Sequence, residues 1–220
     1  MIEGEERPIS RVAQLPMVVR VEKDDPPSRT DALEAAALAA LRVWREPIAE
    51  GLADEAVLES WLPHPRKVVR RARAGAWAQL AAIAPVHVQV RTAEVLGFAV
   101  TWTDELPKIL SRLPVTGTDL HDPAPPPPPA GGAAVLWLSP LLEISAGKAM
   151  AQAGHGSLLV WETLDEQARK LWADAGTPLA VRVPAAADWD RLAHAGLPLV
   201  QDAGHTEIRA GSVTVVVEVP

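Results

Sequence analysis

The chain has 220 residues, a formal net charge of −7 and no cysteine, so disulfides and thiolate chemistry are excluded. The acidic balance argues against a protein that coats nucleic acid non-specifically, because binding to phosphates depends on Lys and Arg. The sequence has no apolar stretch of about 18 residues and no signal-peptide pattern. We therefore expect a cytoplasmic protein without a membrane partner.

The N-terminal part begins with one predicted strand and one predicted helix. Residues 17–21 (MVVRV) form an apolar run that is typical of a buried strand, and residues 30–44 form an alanine-rich segment that is typical of a helix. This order of elements favours an α/β unit.

A basic segment, RKVVRRARAGAW, follows at residues 66–77. The spacing of Arg66, Arg70 and Arg73 predicts one stripe on a helix, with Arg71 beside it. These side chains would neutralise nucleic-acid phosphates, and Trp77 would stack on a base. The alternative is a solvated face that is paired with nearby acidic residues.

The proline-rich run HDPAPPPPPAGG, residues 121–132, interrupts the chain. Such a run favours extended polyproline conformation and excludes a helix or a central strand. It predicts a linker between an accessory domain at residues 1–120 and a second domain at residues 133–220. A surface loop within one domain and a proline-rich ligand for a partner domain stay open as alternatives.

The C-terminal part alternates short apolar runs with helical segments. Strands are predicted at residues 134–138 (AVLWL), in PLAVRV, in LPLVQD and in SVTVVVEV, and helices at residues 146–162, 164–175 and 186–195. This alternation predicts an α/β fold.

The two halves resemble each other when they are shifted by 117 residues. The shift aligns VVRV with VLWL and places Val43 and Trp44 on Val160 and Trp161. With gaps, VHVQV would correspond to PLAVRV and RLPVTGTD to GLPLVQDAG. A degenerate internal repeat, forming an intramolecular pseudo-dimer, and chance similarity between two strand–helix units are both open.

A line of polar side chains crosses the otherwise small-residue segment GKAMAQAGHGS, residues 147–157. Lys148, Gln152 and His155 are spaced four and three residues apart, so a helix would place them on one face. Gly154 and Gly156 disfavour a helix interior, which indicates that something approaches closely there. In the shifted N-terminal copy the three polar positions hold Asp31, Ala35 and Leu38.

A second polar segment, DAGHTEIRAGS, lies between two predicted strands. Together with LEISAGKAMAQAGHGSLLVW, it resembles the second, archaeal and eukaryotic, class of peptidyl-tRNA hydrolases over residues 134–219. The resemblance implies a mixed four-stranded sheet flanked by helices, and hydrolysis of the ester between a peptide and tRNA. The sequence has no zinc motif among its histidines and no GxGxxG after a strand, so we expect no metal or cofactor. It also implies a site lined by six residues: Lys148, Gln152, His155, Asp202, Thr206 and Ser212.

Asp202 would orient or deprotonate the attacking water, and Lys148 would stabilise the oxyanion or bind the terminal phosphate. Thr206 and Ser212 would hold Asp202 or the substrate, and Gln152 and His155 would contact the substrate. The basic stripe would then dock tRNA.

The sequence departs from the family pattern near both motifs. Ala146 stands where the family usually has a second lysine, and His205, Thr206 and Glu207 replace Arg-Thr-Gln. Residues 133–220 carry six Lys and Arg against ten Asp and Glu, a net charge of −4. A non-catalytic member that binds tRNA or a protein partner is therefore the main alternative, and a purely structural interaction protein is a third.

Overall fold

The computed structural model describes residues 11–49, 54–204 and 207–220. Within these ranges no helix is long and apolar enough to cross a membrane. The N-terminal elements are β1 (Ala13–Arg20), α1 (Arg29–Ala49), α2 (Glu55–Trp61), β2 (Lys67–Ala72), α3 (Ala74–Ala81), β3 (Val86–Val90), β4 (Ala93–Gly97), β5 (Thr101–Trp102), a 3-10 turn (Thr103–Glu105) and α4 (Lys108–Ser111). The C-terminal elements are β6 (Ala134–Leu138), α5 (Ala146–Thr163), α6 (Glu166–Asp174), β7 (Leu179–Arg182), α7 (Ala186–Ala193), β8 (Leu199–Gln201) and β9 (Val213–Glu218).

The C-terminal half forms a four-stranded mixed sheet, which confirms the predicted α/β class. Its strand order is β7-β6-β9-β8, with β6 parallel to β7 and antiparallel to β9, and β9 antiparallel to β8. Asp165 begins α6 by accepting a hydrogen bond from Ala168 N, and Gly176 follows its end with φ +82°. These residues provide the capping and left-handed conformations that helix ends favour.

The N-terminal sheet has the same strand arrangement. Its order is β2-β1-β4-β3, with β1 parallel to β2 and antiparallel to β4, and β3 antiparallel to β4, while the short β5 pairs with β1. In each sheet a long helix follows the central strand. By position, therefore, α1 matches α5, β2 matches β7 and β3 matches β8.

The prediction of a helix over residues 66–77 is wrong. Lys67–Ala72 is strand β2, and a helix begins only at Ala74. Two β-branched residues and pairing with β1 stabilise the extended form, and this tertiary pairing overrides the helical spacing of the arginines.

The gapped part of the internal alignment is also wrong. VHVQV is β3 and occupies the position of β8, whereas PLAVRV contains β7, the counterpart of β2. RLPVTGTD forms no strand. The ungapped match of β1–α1 to β6–α5 agrees with the positions of these elements in the two sheets.

The two halves share one buried core, in which α1 packs against α5. Ser157 of α5 is fully buried and donates to the carbonyl of Ala37 at 2.7 Å. Glu34 of α1 is also buried; it accepts from Val181 N at 3.1 Å and from Arg182 at 2.6 Å. Small side chains on both helices therefore allow close packing, and buried hydrogen bonds connect the two halves.

The two unusual glycines of α5 serve this packing. A Cβ on Gly154 would lie 2.9 Å from Cδ of Lys67 and 3.1 Å from Cβ of Ala40, both in the N-terminal half. A Cβ on Gly156 would lie 3.0 Å from Leu136 of β6. The sequence indicated that some group approaches α5 closely at these glycines. The approaching groups are side chains of the N-terminal half at Gly154 and of β6 at Gly156.

Residues 121–132 contain neither helix nor strand. At its start the segment is fixed to α1, because Asp122 accepts hydrogen bonds from the backbone and the hydroxyl of Thr30. Further along, the Pro127 carbonyl accepts from Arg182. The division into separate domains at this segment stays a prediction.

Candidate functional site

The site forms around the first turns of α5. Ser145 begins the helix, and its Oγ accepts a hydrogen bond from Lys148 N at 3.2 Å. Glu207 accepts from both the backbone N and the hydroxyl of Ser145, each at 2.8 Å. A carboxylate at a helix N-terminus is favoured by the exposed N–H groups and the helix dipole. Glu207 therefore joins the loop after β8 to the head of α5.

Lys148 and Asp202 form the charged centre of the site. Lys148 Nζ lies 2.5 Å from Asp202 Oδ2, and the two side chains are 14 % and 5 % exposed. Lys148 lies in the first turn of α5 and Asp202 directly follows β8, so the pair joins two segments of the chain 54 residues apart in sequence. The structure thus brings together two of the residues that the resemblance assigns to the site.

Gln152 and Thr214 extend the centre into a buried chain of hydrogen bonds. Gln152 Nε2 donates to Asp202 Oδ2 at 2.7 Å, and Gln152 Oε1 accepts from Thr214 Oγ1 at 2.7 Å. Both side chains are buried. This chain fixes which end of the Gln152 amide faces Asp202, so the carboxylate is held by two donors from α5.

The turn after β8 fixes the backbone of Asp202. Its N–H donates to Ser212 O at 3.0 Å, its carbonyl accepts from Gly211 N at 2.8 Å, and its Oδ1 accepts from Gly204 N at 2.8 Å. Gly204 has φ +80°, and a Cβ there would lie 2.6 Å from Ala210 N, so only glycine fits. Ser212 thus supports Asp202 through its backbone carbonyl. Thr206 and His205 lie outside the described residues.

His155 does not join the Asp202 group. Its Nδ1 lies 3.2 Å from Nζ of Lys67, which comes from β2 of the N-terminal half. Burial, with the charges of Lys67 and Lys148, holds the pKa of His155 well below its ordinary value. Burial also lowers the pKa of Lys67 to about 7, against the opposing effect of Glu162. This contact has a lysine and a histidine that both favour their neutral forms.

The four arginines that were predicted to bind tRNA do not lie on one surface stripe. Arg66 and Arg73 are exposed, Arg70 is buried, and Arg71 Nε donates to the Thr116 carbonyl at 2.9 Å. Trp77, expected to stack on a base, is 6 % exposed and packs edge-on against His87. The strand alternation of β2 separates side chains that a helix would have placed together.

Sequence reasoning missed several residues that shape the site. Thr214 is a polar side chain within a valine run, a pattern that could have indicated a buried hydrogen bond. Thr118 of the N-terminal half accepts from Gly147 N at 2.9 Å, and no local signal indicates this contact. Ala146, where the family pattern has a lysine, is buried beside it. The N-terminal half therefore covers the start of α5.

In the N-terminal half, the positions that correspond to Lys148 and Asp202 hold an ion pair with the two charges exchanged. Asp31, in the first turn of α1, accepts from Arg91 in the turn between β3 and β4, with a shortest distance of 2.6 Å. Its other oxygen accepts from the backbone and the hydroxyl of Thr92. Helix and strand turn are thus tied together in both halves.

Comparison with known proteins finds relatives of the C-terminal half. The family model described as peptidyl-tRNA hydrolase PTH2 matches residues 134–220. Peptidyl-tRNA hydrolases from two strains of Halobacterium salinarum, R1 and NRC-1, are each 36 % identical over 75 residues, which cover 31 % of this chain and 67 % of the archaeal protein. The chain belongs to the PTH2 family. Residues 1–133 lie outside the family match, so the covering of α5 by Thr118 and Lys67 is supplied by a part of the chain that the PTH2 match does not include.

No group of three or more His, Asp or Glu side chains is placed to hold a metal ion in residues 11–49, 54–204 and 207–220. The chemistry that the PTH2 site can offer is a carboxylate, an ammonium group and an amide, arranged at a helix N-terminus. These groups suit proton transfer and stabilisation of a developing oxyanion.

Proposed function

We propose that the C-terminal half hydrolyses the ester bond between a peptidyl or N-blocked aminoacyl group and the 3′ end of tRNA. The observation that carries the proposal is the 2.5 Å contact between Lys148 and Asp202, fixed by Gln152 at the head of α5. A positioned general base beside a fixed cation is what direct attack of water on an ester requires. Membership of the PTH2 family supports the substrate class.

In this mechanism Asp202 accepts a proton from water as the water oxygen attacks the ester carbonyl carbon. Lys148 stabilises the negative charge that develops on the carbonyl oxygen. The bond from carbon to the ribose 3′ oxygen then breaks, and the leaving oxygen takes up the proton held by Asp202. The new carboxylic acid releases its remaining proton to solvent, so the products are a free carboxylate on the peptide, a 3′ hydroxyl on tRNA and one proton. Gln152 keeps the carboxylate aligned, and the substrate lies along Gln152 and His155.

The second candidate is a member that binds tRNA or a protein partner without catalysis. Glu207 favours this candidate, because its carboxylate occupies the N-terminus of α5, where an anionic substrate group would otherwise gain from the helix dipole. Glu207→Gln restores the neutral family residue and should strengthen tRNA binding.

The deciding experiment measures release of an N-acetylated amino acid from tRNA by wild type, Lys148→Ala and Asp202→Asn. Release by wild type that falls by about a hundredfold or more in both variants supports hydrolysis at this site. Lys170→Ala, at an exposed pair with Asp174, serves as the control of equal charge change. Binding of tRNA by wild type without any release would support the second candidate instead.

For docking of tRNA, we propose contacts from Arg66 and Arg73, since both are exposed. Arg70 and Arg71 would support the fold around them. Reversal of Arg66 and Arg73 to Glu should weaken tRNA binding and flatten its dependence on salt, because fewer phosphates are neutralised. Unchanged salt dependence would contradict a role for this surface.

We also propose that the N-terminal half is a degenerate copy that acts as an intramolecular partner. Support comes from the common strand order of the two sheets and the packing of α1 on α5. Sedimentation of the full chain at micromolar concentration should then give a monomer. A stable dimer would contradict this arrangement.

A further inference from the structure

A cleft of about 170 Å³ is lined by residues of both halves. The N-terminal half contributes two indole rings, Trp44 and Trp61, whose centroids lie 6.0 Å apart at an angle of 37°. It also contributes Leu62 and Pro65. The C-terminal half contributes the other lining residues: His155, Leu158, Leu159, Glu162, Leu199 and Val200.

The cleft is directly connected to the catalytic group by two elements. His155 follows Gln152 by three residues on α5, which corresponds to about 4.5 Å along the helix axis. Leu199 and Val200 belong to β8, which leads straight into Asp202. Neighbouring residues of α5 and β8 therefore line the cleft and carry the proposed catalytic group.

The chemistry of the lining favours an uncharged apolar occupant. Most lining side chains are aliphatic or aromatic, and the Trp61 indole N–H is already bonded to the Arg66 carbonyl at 2.8 Å. The low pKa of His155 leaves its imidazole neutral at neutral pH. Glu162, exposed at the rim, is unfavourable for an anionic group such as a phosphate. Apolar clefts with few polar groups are typical ligand sites.

We propose that this cleft between the halves binds the side chain of the amino acid that is esterified to tRNA and makes the enzyme prefer large apolar residues there. The proposal rests on the function proposed above. In such an ester the side chain is carried by the carbon next to the carbonyl, so it reaches about one helical turn from the reacting bond. The N-terminal half is then a specificity element, since it supplies both indoles.

The test compares hydrolysis of N-acetylphenylalanyl and N-acetylglycyl esters on the same tRNA body. We expect kcat/KM to favour the phenylalanyl ester by about tenfold or more, as a hydrophobic pocket allows. Leu62→Asp places a charge on an exposed wall of the cleft and should reduce this ratio by at least threefold. Ile83→Asp, at a likewise exposed residue after α3 outside the cleft, should leave the ratio unchanged.

Binding of two non-hydrolysable probes makes the result independent of catalysis. These are 3′-(N-acetylphenylalanyl)amino-3′-deoxyadenosine and its glycyl equivalent, measured by calorimetry on the full chain. Tighter binding of the phenylalanyl probe, lost in Leu62→Asp, supports the cleft even if no ester is hydrolysed, in which case only the proposed function fails. Equal binding of both probes, weakened equally by Leu62→Asp, would assign the cleft to adenine and overturn the proposal. Equal binding that Leu62→Asp leaves unchanged would overturn it as well.

Discussion

Asp31 of α1 carries the opposite charge to Lys148 of α5, although both lie in the first turn of the helix that follows the central strand of their sheet. Each is paired with a residue just after the strand at the matching sheet edge, Asp31 with Arg91 and Lys148 with Asp202. An ion pair thus joins the helix to the strand turn in both halves, but the carboxylate lies on the helix in the N-terminal half and after the strand in the C-terminal half.

Arg91→Ala should therefore reduce stability and leave hydrolysis unchanged. Burial favours the neutral acid, but hydrogen bonds from Thr92 and Arg91 hold the pKa of Asp31 below its ordinary value. Loss of the guanidinium leaves a buried carboxylate with fewer donors, at a cost of roughly 1–3 kcal/mol in the free energy of unfolding. Urea denaturation measures this loss. Lys170→Ala, which removes an exposed pair, should leave the free energy of unfolding almost unchanged.

Gly154→Ala should destabilise the contact between the halves. A methyl group there meets Lys67 and Ala40 in a packed region. Such overpacking typically costs about 1–3 kcal/mol. This cost equals or exceeds the gain of about 1 kcal/mol in helix propensity. Gly75→Ala is the matched control, because Gly75 is also helical and has open space around it. It should raise stability by about 0.5–1 kcal/mol. Stabilisation by both substitutions in thermal unfolding would contradict the packing described for α5.

Lys67→Met should change the pH dependence of stability. The pKa of Lys67 is about 7 in the folded protein, against about 10.4 when unfolded, so between these values the unfolded chain holds a proton that the folded chain lacks. Stability of the wild type therefore rises with pH over this range. The variant loses that rise. The difference in free energy of unfolding, variant minus wild type, should therefore be roughly 1–3 kcal/mol larger at pH 6.5 than at pH 9.

Chemical denaturation at both pH values checks this expectation. Lys170→Met, at an exposed position, is the control for loss of a lysine. His155, Glu162 and Lys148 are the titratable groups that influence this site, and they are present in both variants. An equal gain at the two pH values would show that Lys67 is charged in the folded protein.

Thr214→Val should lower kcat more than it raises KM. The hydroxyl of Thr214 holds the Gln152 amide that in turn holds Asp202, so its loss misaligns the carboxylate without removing a substrate contact. We expect a decrease in kcat of about ten- to a hundredfold. Thr214→Ser keeps the hydroxyl and should recover most of the rate. A variant Thr214→Val with wild-type kcat would exclude this positioning role.

Much of the C-terminal half could be predicted from the sequence because its elements are short and locally marked. AVLWL matches β6 residue for residue, and α5 extends only one residue beyond its predicted end. Two motifs in a fixed order placed Lys148 and Asp202 in one predicted site, whereas their ion pair is seen only in the structure. The basic segment could not be assigned correctly, since its pairing with β1 is a tertiary interaction between strands about fifty residues apart.

The contact between Lys67 and His155 could not be predicted for a related reason. Each residue has an ordinary local explanation, as a charged strand residue or as part of a polar helix face. Their meeting depends on how closely α5 approaches the N-terminal sheet, which Gly154 and the alanines of α1 decide. Hydrophobic pattern and spacing within one element carry no information on that distance.

The buried face of α1 also has a consequence for how the protein is made. Its alanines are covered by α5, which begins at residue 146, about a hundred residues after α1 has left the ribosome. At about 5–20 residues per second, this face is open to water for roughly 5–20 s in every nascent chain. Before α5 emerges, the nascent chain must therefore avoid association through α1, by fast synthesis or by chaperones that shield the helix.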